Sequence, residues 1–181
     1  MFDPTAFDNM KVVLEGSLYD LDISGEIRVV NREDLVNLAR MEREFSITFC
    51  TEKLEHKNIN ITYKLNSSGQ ELYNELLLDS EDNGCICTII IDGDQWLNKE
   101  DLNQSSMFFQ KYYPYGTESW IEEKTILRNE SIENKTSLFV KPIDKITEDR
   151  IELLEDLLLA TLDILKWQEK QVNKKGSLNE Y

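Results

Sequence analysis

The sequence holds a single histidine, three prolines and seven glycines in 181 residues, and twenty basic side chains against thirty-five acidic ones. So few glycines and prolines exclude collagen-like and linker-rich chains. One imidazole, His56, leaves little for histidine chemistry. Four common motifs are absent: the Gly-x-Ser-x-Gly elbow, the His-Glu-x-x-His zinc helix, the P-loop and the Gly-x-Gly-x-x-Gly turn. No stretch approaches the roughly 18 uninterrupted apolar residues that a membrane span needs. The start, MFDPTAFDNMKVV, lacks a basic stretch followed by an apolar run, so no signal peptide is expected. The three cysteines, Cys50, Cys85 and Cys87, are an odd number without framework spacing. A reducing, cytoplasmic setting is therefore expected. Asn-x-Ser/Thr triplets at Asn60, Asn66, Asn103, Asn129 and Asn134 carry no chemical meaning without a secretory route.

The formal net charge is −15. Nucleic-acid binders need a positive footprint, and anionic membranes attract basic segments, so both partner classes are excluded as expectations. Basic proteins and cations remain. Acidity also serves solubility alone in many proteins. The excess is local: residues 65–98 carry seven acids (Glu71, Glu75, Asp79, Glu81, Asp82, Asp92, Asp94) and no base.

Hydrophobic residues make up 40% and charged residues 30%, and the length suits one domain with a sizeable core. The pattern predicts one α+β domain over residues 1–172 and a flexible tail over 173–181. The sheet is expected to be mainly antiparallel, built from hairpins. It packs against a long C-terminal helix and one or two shorter helices. From Val12 to Ile23, alternation beyond Gly16 reads as a strand, with Gly16 as a bulge. Ser24-Gly25 then turns into a second strand, Glu26 to Val30. Asn31 reads as the N-cap of a short helix bearing Leu35, Leu38, Ala39 and Met41.

Phe45, Ile47 and Phe49, then Ile59, Ile61, Tyr63 and Leu65, alternate as a hairpin with one wet face. Ser67 or Ser68 caps a helix through Leu78. The apolar run Cys85 to Ile91 reads as a central strand buried on both faces. Residues 125–129 and 136–140 suggest another hairpin. Thr147 caps the last helix, which runs to about Val172, with Ile146 and Ile151 as a hydrophobic staple. Its leucines form a face wide enough to be buried on two sides or to meet a second copy.

Several constellations invite chemistry. A Cys50–His56 dyad, or zinc held by those residues with Cys85 and Cys87, would need convergence that Cys-x-Cys on an apolar strand does not provide. Small buried hydrophobes are the plainer role of Cys85 and Cys87. Asp79, Glu81, Asn83 and Gly84 begin like a calcium loop, yet Ile90 stands where a bidentate glutamate is needed. Asp92 and Asp94, with Glu100 nearby, end the apolar strand where a divalent-metal hydrolase would place its carboxylates. Asp-Gly-Asp is also ordinary turn chemistry.

Six aromatics fall within fourteen residues: Phe108, Phe109, Tyr112, Tyr113, Tyr115 and Trp120. Core packing and a binding face are both open to them. The leading reading is a non-enzymatic cytoplasmic binding protein (an inhibitor, immunity-type protein or adaptor) that needs no cofactor. It would hold a basic protein through Glu71, Glu75, Glu81, Asp82, Tyr112, Tyr113, Tyr115 and Trp120. The metal hydrolase is the alternative.

Overall fold

The structure is a computed structural model, described here for residues 5–51, 59–78, 83–93, 99–129 and 131–177. In chain order it has helix α1 (Ala6–Ser24), strands β1 (Arg28–Asn37), β2 (Glu42–Cys50) and β3 (Asn60–Ser67), and helix α2 (Gly69–Leu78). Strand β4 (Gly84–Gly93), helix α3 (Lys99–Tyr112), and strands β5 (Thr117–Arg128), β6 (Ser131–Pro142) and β7 (Ile146–Thr147) follow. A single 3-10 turn, Glu148–Arg150, leads into helix α4 (Leu153–Ser177). The fold is α+β, as the sequence pattern predicts. Its sheet is antiparallel and seven-stranded, in the order β1-β2-β3-β4-β6-β5, with β7 paired to the start of β4.

One parity rule organises the molecule. Phe45, Ile47 and Phe49 of β2, Ile61, Tyr63 and Leu65 of β3, Cys85, Cys87, Ile89 and Ile91 of β4, and Leu138 and Val140 of β6 are all buried. Side chains alternate along a strand, so these residues share one face of the sheet. Helices α1 and α4 add Phe7, Met10, Leu14, Leu18, Leu154, Leu157, Ile164 and Leu165 to the same cluster, and α3 adds Phe109. Each such Phe, Ile or Leu contributes about 1.5–3 kcal/mol by leaving water.

Tyr63 reaches from β3 to α4, where its hydroxyl lies 2.7 Å from Thr161 Oγ1. Thr161 donates its own proton to the Leu157 carbonyl, so Tyr63 is the donor to Thr161. The Tyr63 hydroxyl is thereby satisfied in the middle of the core. Burial pushes the Tyr63 hydroxyl well above its ordinary range, so it stays protonated.

Several expectations are corrected. Residues 12–23 are not a strand but part of α1. Phe7, Met10, Leu14 and Leu18 fall on one helical face, while the alternation beyond Gly16 catches only Leu18 of that set. Thr5 accepts from the Asp8 amide at the helix start. At its end Gly25, with φ of 79°, donates to Asp22, and Glu26 donates to Leu21. This pair of bonds is a Schellman ending, for which only glycine is unstrained. Gly25 therefore ends a helix and is not the corner of a hairpin.

Asn31 does not cap a helix; it lies in β1, an edge strand paired along its length with β2 and irregular between Val29 and Asn31. Two ion pairs fasten β1 to α1: Arg32 with Glu15, and Lys11 with Asp34 at 2.8 Å. Strand β4 is central but buried on one face only, since Ile86 is 45% exposed. The last hairpin is longer than residues 125–140 alone, running from Thr117 to Pro142 with its turn after Arg128. Helix α4 begins at Leu153 and continues to Ser177, past the expected end near Val172. Thr147 stands before the 3-10 turn and makes no side-chain cap bond. The rest of the tail, 178–181, lies outside the described residues.

Two features lead to measurements. A Cβ on Gly84 would stand 2.3 Å from the Ile146 carbonyl oxygen, where β7 crosses β4. Gly84→Ala is expected to lower stability by about 1–3 kcal/mol in a denaturant titration, through a forced backbone shift. The paired bond from Arg43 to Asp8 ties β2 to α1 and holds the Asp8 carboxyl down at about 2. A carboxyl depressed in the folded state stabilises fully above its ordinary value of 3.8, and that contribution disappears as pH falls towards 2. Stability should therefore drop between about pH 4 and pH 2 in the native chain, and Asp8→Asn should flatten that limb.

Candidate functional site

Helix α2 carries two of the expected partner-binding acids. Ser68 accepts from the Glu71 amide and so starts the helix. Glu71 and Glu75 are four residues apart and share a helix face. That face turns inward. Glu71 pairs with Lys145 at 3.1 Å and accepts from the Gly84 amide at 3.2 Å. Glu75 accepts from the Ala6 amide at 2.6 Å, placing a carboxylate on the positive end of α1. The base-free stretch 65–98 is thus neutralised in part from distant parts of the chain. Beside the Glu71–Lys145 pair lies a cavity of about 220 Å³, lined by Asn66, Ser68, Ile86, Lys141 and Asp144 among others. It sits in the gap that the bend at 143–145 leaves between β6 and β7 along β4. Glu81, Asp82 and Asp94 lie outside the described residues, as do His56 and the calcium-like turn at 79–82.

The aromatic tract divides. Tyr113 is core, in edge contact with half-exposed Tyr115 at 5.6 Å, and Arg150 lies over the Tyr115 ring. Tyr112 donates to Asp163 at 2.7 Å, and Lys111 pairs with the same carboxylate, so this corner fastens α3 to α4. The Tyr112 hydrogen bond, with the Lys111 charge beside it, holds the Asp163 carboxyl below its usual range. Trp120 is different: it is 37% exposed on the face of the sheet opposite the core. Its ring stacks on Phe139 with centroids 5.1 Å apart and planes within 5°.

The strand pairing extends that stack into a row. Thr48 stands opposite Thr62, Thr62 opposite Ile90, Ile90 opposite Phe139, and Phe139 opposite Trp120. The Thr48 and Thr62 hydroxyls are hydrogen-bonded at 2.9 Å. Carboxylates on this face include Glu44, paired with Lys64; Asp92, which accepts from Ser137; and Glu118 and Glu122, on either side of Trp120. The Trp120 indole N–H donates to Glu122 at 2.8 Å. Of the row, sequence reading marked Trp120 alone. The even-numbered positions of β3 and β4 carry the signal for Thr62 and Ile90, but only once the register is known.

Asp92 lies on this face, and Glu100 is exposed at the start of α3. Among the described residues, no three His, Cys, Asp or Glu side chains are grouped as a metal site. Cys50, Cys85 and Cys87 are free and buried. Burial pushes the Cys85 thiol up to about 12, with Glu71 and Glu75 adding to the shift, and burial raises Cys87 as well. Both sulfurs behave as packing groups. No described helix is long and apolar enough to cross a membrane. The wide apolar face of α4 is covered within the chain, leaving Leu159 as its exposed leucine among the described side chains.

No family model matches the chain, and no curated protein and no solved structure is significantly similar to it.

Glu71 and Glu75 act inside the molecule, whereas Trp120 faces outward. Glu71→Ala and Glu75→Ala should each lower stability by about 1–2 kcal/mol, through a part-buried amide or lysine left without its acceptor. Trp120→Ala should cost less than either, and thermal unfolding of the three variants checks the order.

Proposed function

We propose that the chain is a non-enzymatic, cytoplasmic binding module that holds a basic protein on the uncovered face of its sheet. One observation carries the reading: the Thr48–Thr62–Ile90–Phe139–Trp120 row crosses the sheet opposite the helices, and its aromatic end lies between carboxylates. A stacked indole offers a rigid, low-entropy anchor of the type enriched at interface centres. Glu118, Glu122 and Asp92 near it favour a lysine or arginine over the ring, where cation–π attraction and charge act together. The net charge of −15 speeds approach of a basic partner and repels nucleic acid. Free cysteines suit a reducing compartment.

The test uses the immobilised full chain in lysate at low salt, followed by a salt gradient. The native chain should release a specific basic protein as salt rises. Trp120→Ala and, farther from the sheet edge, Ile90→Arg should lose it while unfolding cooperatively. Retention by Ile90→Arg would place the contact off this face, and the absence of any salt-sensitive partner would sink the reading.

A further inference from the structure

Strand β5 is an edge: among the described elements it hydrogen-bonds only to β6, and its residues from Thr117 to Arg128 alternate between half-buried and exposed, with Glu122 to Thr125 all exposed. An unpaired edge of this length is a template for another strand. The charges that usually blunt such an edge are here arranged to match themselves. In antiparallel pairing of two copies about a twofold axis at Glu123, residues whose numbers sum to 246 stand opposite each other. Glu118 then meets Arg128, Glu122 meets Lys124, Trp120 meets Ile126, and Ile121 meets Thr125, each contact occurring twice. The pleat agrees, because both members of every pair have the same parity and lie on one face of the joint sheet. Opposite charges and aromatic–β-branched pairs directly across a ladder are the favourable classes. Only Glu123 meets its own like, on the axis and exposed.

Neighbouring registers lack this match. A shift one way sets Glu122 against Glu122 and Glu118 against Ile126. A shift the other way sets Lys124 against Lys124 and Glu122 against Ile126. A slip by one residue is forbidden by the pleat.

A second observation points the same way. Within the chain Lys124 stands directly opposite Lys135 on β6, a like-charge pair that a sheet disfavours. Among the described residues neither lysine has an ion-pair partner, and Glu122 of a second copy would supply one. Nearby, Leu127 is 75% and Ile132 67% exposed as cross-strand neighbours on the hairpin end beyond the last β4 pairing.

The other edge offers no such fit. Strand β1 is irregular at Val29 and Asn31, and its Arg32 and Asp34 are already paired with Glu15 and Lys11.

We infer that β5 is the self-association edge of this protein: two copies join β5 to β5 antiparallel about Glu123, giving one sheet continuous through both. The contact draws on Trp120 and Glu122, which the proposed partner surface also uses, and it leaves both open faces on the same side.

Sedimentation of the full chain over a concentration series at low ionic strength tests it. The native chain should reach the mass of two chains and dissociate as salt rises. Glu122→Lys puts lysine against Lys124 at both symmetric positions and should weaken association by about tenfold or more. Glu122→Lys with Lys124→Glu restores the match and should restore the dimer. Glu123→Thr removes the axial repulsion and should tighten it. Far-ultraviolet dichroism confirms that each variant is folded. A native chain that remains at one-chain mass at the highest concentration overturns the inference. So does a two-chain mass that survives Glu122→Lys, or a folded double variant that stays monomeric. A dimer abolished by Leu159→Glu but indifferent to β5 would move the contact to α4 and overturn it equally.

Discussion

The structure depends on the strands β2, β3, β4 and β6 turning the same alternate residues to one side. Phe45, Ile47, Tyr63, Leu65, Cys87, Ile89 and Leu138 then form a continuous apolar surface, and Phe7, Met10, Leu14 and Leu18 of α1 and Leu154, Leu157, Ile164 and Leu165 of α4 pack with it. The Tyr63–Thr161 bond at the middle of that surface is permitted because Thr161 already gives its proton to its own helix. With one face saturated by helices, the opposite face is left to threonines, a few charges and the Trp120–Phe139 stack. The candidate site is the other side of the core's own alternation.

Charge works in two ways in this molecule. Part of it is structural: Asp8 with Arg43, Glu15 with Arg32, Glu71 with Lys145 and Glu75 on the Ala6 amide join segments far apart in the chain. All but the exposed Glu15–Arg32 pair are partly buried, so they are screened less than surface pairs, and together they fix where α1 and α2 sit. The remainder is superficial and available to partners. The acidic residues that look most conspicuous in the sequence, on α2, belong to the first kind. Those on β5, which look ordinary, belong to the second.

The β2–β3 hairpin was legible because Phe45-Ser46-Ile47-Thr48-Phe49 and Ile61-Thr62-Tyr63-Lys64-Leu65 each alternate cleanly, and helix α2 because Ser68 precedes a glutamate and a leucine run. Helix α1 was misread where Gly16 and the β-branched Val12 and Val13 weaken its propensity. Thr5, Asp8 and Gly25, which bound it, lie at or outside the ends of the window that alternated. Strand β1 was misread because Asn31 to Met41 has helical local preferences that pairing with β2 overrides. The site row was legible only at Trp120. Thr48, Thr62, Ile90 and Phe139 come from four strands, and their meeting depends on register, which sequence spacing does not encode.

Two of the helices that cover the sheet, residues 6–24 and 153–177, precede and follow all of its strands. Most of the sheet can pair by local hairpins, yet its apolar face is only partly covered until residues 153–177 have been synthesised. A ribosome-bound chain ending before Leu153 would present a large greasy wall with only α1 and α3 to shield it, the condition under which nascent proteins aggregate or recruit chaperones. The last helix therefore acts as a late closing step, and loss of even a short C-terminal stretch that includes Leu157 to Leu165 would strand the entire sheet half-finished.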